Sequence, residues 1–168
     1  MRYLVFLAFL ATVPLANWMI GNVGTVCIPD GPCLLPVGFG LSAPSGVLVI
    51  GAALVLRDFV QQQLGIRWAF AAIACGFVLS AAVAPPALVV ASAAAFLLSE
   101  LADLGVYTPL RRRGLALAVL ASGAVGSVVD SAVFLLLAFG SLDYIGGQVV
   151  GKLWMTGLGA AVLAWRRK

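Results

Sequence analysis

Strongly polar residues are so sparse along this chain that its pattern is one of long apolar runs broken by short turns. Six runs stand out: Tyr3–Ile20, Ser45–Gln61, Arg67–Val83, Pro86–Thr108, Gly114–Phe139 and Ile145–Trp165. Each is close to the roughly 20 residues that a membrane-spanning helix needs. The alternation of a barrel strand is absent, so helices are the only spanning elements available. Pro85-Pro86 breaks the third run from the fourth, because proline cannot continue a helix. The pattern predicts an all-α integral membrane protein, a bundle of six transmembrane helices forming one domain over residues 1–168.

Composition excludes the alternatives. The chain is 63% hydrophobic and 10% charged, with a mean hydropathy of +1.14. Soluble domains average about 45–50% apolar and about 25% charged residues, so a water-facing surface cannot be built here. Disorder fails for the same reason. The basic residues Arg2, Arg67, Arg111, Arg112, Arg113, Arg166, Arg167 and Lys168 fall at the helix ends that a cytoplasmic N-terminus predicts. The opposite connections, Gly21–Pro44, Ala84–Pro85 and Gly140–Tyr144, contain no Lys or Arg. This positive-inside asymmetry puts both termini in the cytoplasm of a multi-pass protein of the cytoplasmic membrane. The net charge of +4 is then a topology signal, with Arg111–Arg113 a candidate contact for anionic lipid. Bases scattered over separate ends argue against nucleic-acid binding. The first run has a basic start, but Pro14-Leu15-Ala16 is a poor cleavage site, so it is expected to stay as a helix.

Two connections are unusual. Cys27 and Cys33 flank turn chemistry in the first external loop, where either a disulfide or two unpaired thiols fits. The stretch Pro36–Gly46 is dense in Gly and Pro with apolar residues between, as in irregular backbone dipping into a membrane or in a plain surface loop. Trp18, Tyr144, Trp68 and Trp165 sit near helix ends as interfacial anchors, whereas Trp154 and Phe96 lie deeper, where each packs in the core or offers a stacking face to a planar ligand.

The polar residues inside the runs carry the functional signal. A charge at the bilayer centre costs about 2.5–3.5 kcal/mol on insertion scales, so such residues face the protein interior and hold something. Glu100 and Asp103 share one helix face, with Tyr107 a turn further on. Counting along the helices puts Arg57 level with Glu100, and Lys152 level with Asp130, so two ion pairs are expected. Gln148, Lys152 and Thr156 form a polar stripe at i, i+4, i+8. Arg57 and Lys152 cannot together neutralise Asp58, Glu100, Asp103 and Asp130; the surplus needs water, protons or a ligand. Gly123, Ser127 and Ser131, and again Gly147 and Gly151, are small-residue faces that let helices approach.

Absences narrow the chemistry. The chain has no His, which removes His-type metal sites and Ser-His or Cys-His catalysis. It has no phosphate-loop motif, so it hydrolyses no nucleotide itself. Neither an enzyme nor a cofactor is indicated.

Several motifs resemble the vitamin uptake transporter family, whose characterised members are queuosine precursor transporters of the YhhQ type. They are Ala43-Pro-Ser-Gly46, Leu56-Arg-Asp-Phe-Val-Gln61 with Gly65, Ser99-Glu-Leu-Ala-Asp103 with Val106-Tyr107, and Ser127-Val-Val-Asp-Ser131 with Phe134. The Arg57-Asp58 form is similar to an actinobacterial-type branch. The resemblance implies six helices and import of a 7-deazaguanine such as preQ0 or preQ1. Carboxylates are acceptor-only, and suit the ring N–H and amine of a guanine-like edge. Glu100 or Asp103 fits that role, then Asp130. Gln61, Gln148 and Asn17 suit the carbonyl and remaining ring nitrogens, with Arg57, Asp58 and Lys152 completing the candidate substrate site. Surplus negative charge also suits a proton carried with the solute. Two other readings stay open: a substrate-binding subunit energised by a separate ATPase, and a non-transporting scaffold whose charges only pair helices. The partner could be an energising subunit or a second copy of the chain in a homodimer.

Overall fold

Six α-helices form among the described residues, each close to its predicted run. The structure is a computed structural model that describes residues 2–29, 31–84 and 86–165. Pro85, Arg166, Arg167 and Lys168, which bear on the break and the charge asymmetry, lie outside the described residues. The helices are α1 (Arg2–Asn22), α2 (Val47–Leu64), α3 (Ile66–Val83), α4 (Val89–Leu110), α5 (Leu115–Phe139) and α6 (Ile145–Trp165). Five of them are long and apolar enough to cross a membrane. The sixth, α6, is as long but diluted by Gln148, Lys152, Thr156 and its glycines.

The bundle buries charged and polar side chains between its helices, beside apolar clusters, and turns large apolar ones outward. Arg57, Gln61, Asp103, Ser122, Ser127, Ser131, Lys152 and Thr156 are each 0% exposed, while Leu7, Phe70, Val78, Val90, Leu117 and Leu137 are more than half exposed. Long helices that turn large apolar side chains outward along their length while burying charges are built for a lipid solvent. Together these features make the chain a multi-pass membrane protein.

Small residues set the helix crossings. Gly51 of α2 lies against the backbone of α6 at Lys152, where an added Cβ would stand 2.7 Å from that carbonyl oxygen. Any side chain there would push Lys152 away from the core. Gly123 of α5 faces Thr156 of α6, as the small-residue pattern leads one to expect. Gly147 and Gly151 instead face Ser42, Val37 and Val47, so their small faces admit the segment before α2 rather than α5.

That segment is neither irregular backbone nor a plain loop. Strands β1 (Val26–Cys27), β2 (Cys33–Gly38) and β3 (Leu41–Pro44) form a small antiparallel sheet in the order β1-β2-β3. The turn between β2 and β3 needs positive φ at Gly38, Phe39 and Gly40, which the two glycines supply readily. Val37 and Ala43 point inward with Val47. The hairpin runs along α6 from Gly147 to Trp154, whose indole N–H donates to the Val37 carbonyl at 2.8 Å. Its tip, Phe39, stacks parallel to Trp154 about halfway down α6. Pairing satisfies the backbone groups that a loop at this depth would leave bare.

Cys27 and Cys33 face each other across β1 and β2 and are joined as a disulfide, leaving Cys75 exposed on α3 as the free cysteine among the described residues. Alkylation of unfolded, unreduced protein should therefore add one label per chain, rising to three after reduction, as read by intact mass. Three labels before reduction would show the bridge absent.

Candidate functional site

The polar interior divides into a cleft and an ion cluster beyond it. The cleft is partly open to solvent, and the space it outlines, that open solvent included, is about 760 Å³. Its walls come from the hairpin-side halves of the helices: Thr12 to Ile20 on α1, Val47 to Leu54 on α2, Ser92 to Glu100 on α4, then Asp130 and Phe134 on α5 and Gln148 on α6. Glu100 stands roughly 16 Å along α4 from its first residue, which makes it part of the floor.

Glu100 joins the two regions. It faces the cleft, and its Oε2 accepts from Arg57 Nε at 3.1 Å. Arg57 lies at the same depth on α2 and is wholly buried. Its Nη1 donates to Gln61 Oε1 at 3.3 Å; its Nη2 pairs with Asp103 and, at 3.0 Å, with Asp58. Its Cζ lies 5.6 Å from the centroid of the Tyr107 ring. Gln61 passes its amide N–H to Thr108, and Ser122 donates to Asp58. Three carboxylates on one guanidinium leave excess negative charge, and Asp103 Oδ2 is buried without a hydrogen-bond partner. Buried ion clusters of this kind are costly unless every group is matched.

A second cluster stands on the α5–α6 side. Lys152 Nζ is 2.6 Å from Asp130 Oδ2, and also donates to Ser131 Oγ at 2.6 Å and Gln148 Oε1 at 3.0 Å. Both ion pairs expected from helix depth, Arg57–Glu100 and Lys152–Asp130, are thus formed.

Of the predicted site residues, the structure brings Asn17, Glu100, Asp130 and Gln148 to the cleft. Asn17 spends one amide N–H on the Val13 carbonyl of its own helix at 3.0 Å. Arg57, Asp58, Gln61, Asp103 and Lys152 are not among the cleft-lining residues; they form the layers behind it. Asp103 shares a face with Glu100 but sits one turn deeper, past the floor. Phe96 lines the cleft, whereas Trp154 is half exposed and faces the hairpin tip. The reason is geometric: two residues after Lys152, a helix has turned about 200°. Thr12, Ser80 and Ser92 also line the cleft, and the sequence does not single them out, since small hydroxyl residues in apolar helices look like packing surface.

Neither a curated protein nor a solved structure matches this sequence. A family model described as "Putative vitamin uptake transporter" matches residues 81–165, half of the chain. Those residues run from the end of α3 to the end of α6 and include Glu100, Asp103, Asp130, Gln148 and Lys152. A family of uptake transporters accounts for a polar cleft inside a lipid-facing bundle, and the chain belongs to this vitamin uptake transporter family.

Proposed function

We propose that the protein imports a queuosine precursor, a 7-deazaguanine such as preQ0 or preQ1, across the cytoplasmic membrane. One observation carries the reading: a cleft between the helices has Glu100 and Asp130 at its depth and amides of Asn17 and Gln148 on its walls. An otherwise apolar wall with a few convergent polar groups is how small-molecule sites are built. The ring N–H and exocyclic amine of the solute donate to carboxylate oxygens, and Phe96 and Phe134 offer faces for its flat ring. With both termini in the cytoplasm, the hairpin end is outside and the cleft faces incoming solute. The Arg57 cluster then closes the inner half. Solute bound at Glu100 competes for the carboxylate that Arg57 holds, which couples occupancy to loosening of that seal. The unmatched charge around Arg57 suits a proton moving with the solute.

The test is a bacterium that can neither make nor import 7-deazaguanines, supplied with preQ0 or preQ1. Queuosine should appear in its tRNA only when this chain is expressed. Its absence, with the chain confirmed in the membrane, would overturn the substrate assignment.

A further inference from the structure

Lys152 gives the cleft wall a fixed hydrogen-bonding polarity. Its ammonium group is donor-only, so each partner must turn an acceptor toward it. Gln148 does so with Oε1 at 3.0 Å, Asp130 with Oδ2 at 2.6 Å and Ser131 with Oγ at 2.6 Å. Ser131 can accept because its own proton goes to the Ser127 carbonyl at 2.7 Å. Three partners use all three ammonium donors, and Lys152 is 0% exposed. The Gln148 amide is therefore not free to flip. Its oxygen is held on the lysine, and its NH2 is left as the group available to a ligand. Asp130, held on the same nitrogen, lies beside it. Among the described residues its other oxygen has only Ser99 Oγ at 3.5 Å, and that hydroxyl has a nearer acceptor in the Phe96 carbonyl at 3.1 Å.

Gln148 and Asp130 both line the cleft, so its wall offers a donor next to an acceptor. We infer that this pair, oriented by Lys152, selects solutes carrying a lactam edge, a ring N–H beside a carbonyl, over the inverse edge of an aminopyrimidine. The carbonyl accepts from Gln148 and the ring N–H donates to Asp130. In the inverse edge an amine meets the amide NH2 and a bare ring nitrogen meets the carboxylate, so both contacts fail. Lys152 is a positioning residue, acting through Gln148 and Asp130. The inference rests on the proposed substrate and specifies which edge of that solute is read, and by which residues.

The experiment measures binding of 7-deazaguanine, 7-deazahypoxanthine and 7-deazaadenine to purified full-length protein, with the oxo-to-amino affinity ratio as readout. 7-Deazahypoxanthine carries the lactam without the exocyclic amine, so its ratio to 7-deazaadenine isolates the proposed contact. Wild type should favour it by about 30-fold or more, since each mispaired buried group costs affinity and the inverse edge mispairs two. Gln148→Glu replaces the donor with an acceptor that Lys152 still pairs, and should bring the ratio close to one. Lys152→Met frees the amide to turn and should also collapse the ratio, whereas a purely structural lysine would weaken all three ligands alike. Should Lys152→Met fail to fold, Gln148→Glu alone decides. A wild-type ratio near one, or a ratio unchanged in Gln148→Glu, overturns the inference while leaving the substrate reading standing. Failure of wild type to bind any of the three overturns the inference, while the substrate reading is decided separately by preQ0 and preQ1 in the tRNA assay.

Discussion

Arg57→Met should cost the bundle about 3–5 kcal/mol and leave little folded protein in the membrane, the largest stability loss expected from any single substitution in the polar interior. Among the described residues, Arg57 is the one cation set among Asp58, Glu100 and Asp103, with contacts at 3.0 Å to Asp58 and 3.1 Å to Glu100 besides its pairing with Asp103. All four side chains are buried. Methionine fills the space but leaves three buried carboxylates facing one another with no cation between them. The expected signs are a lower melting temperature in detergent and an early-eluting aggregate on size exclusion. If unmatched charge is the cause, adding Asp58→Asn, Glu100→Gln and Asp103→Asn to Arg57→Met should recover folding without recovering transport. Wild-type melting of Arg57→Met alone would show that the cluster does not hold the helices together.

Glu100→Gln should do the opposite, sparing the fold and removing function. The amide keeps the shape of the side chain, and Arg57 keeps Asp58 and Asp103 as partners. What disappears is a charged acceptor at the floor of the cleft. Hydrogen bonds to charged groups contribute about 1.5–3 kcal/mol, so solute affinity should fall roughly 10- to 100-fold. Uptake falls further, because the amide no longer offers Arg57 and solute a common carboxylate to compete for. Asp143→Asn, at an exposed acid in the α5–α6 turn, is the matching control and should change nothing. Normal uptake by Glu100→Gln would remove this residue from the site.

Much of this is legible along the chain. The apolar runs are membrane-sized, so the six helices start and stop within three residues of the predicted limits. Depth counting pairs Arg57 with Glu100 and Lys152 with Asp130, because charges in lipid have few places to go. The hairpin is not legible: its strands are only a few residues long, and its Gly and Pro content masks the inward alternation of Val37 and Ala43. Periodicity puts Glu100 and Asp103 on one face but says nothing of where a cavity ends. Only the packing of α1 and α2 over α4 makes Glu100 the floor and leaves Asp103 behind it. Depth alone makes Trp154 a candidate to stack on solute, yet its offset of two residues from Lys152 already implies the outward face.

The most direct test is uptake by the purified protein in liposomes. Radiolabelled preQ1 should accumulate inside vesicles holding wild-type chain, and not inside those holding Glu100→Gln at equal incorporation. Equal, background-level signal in both sets, with wild type folded and binding preQ1, would contradict transport by this chain alone and make it the solute-binding subunit of a complex with a separate energy source.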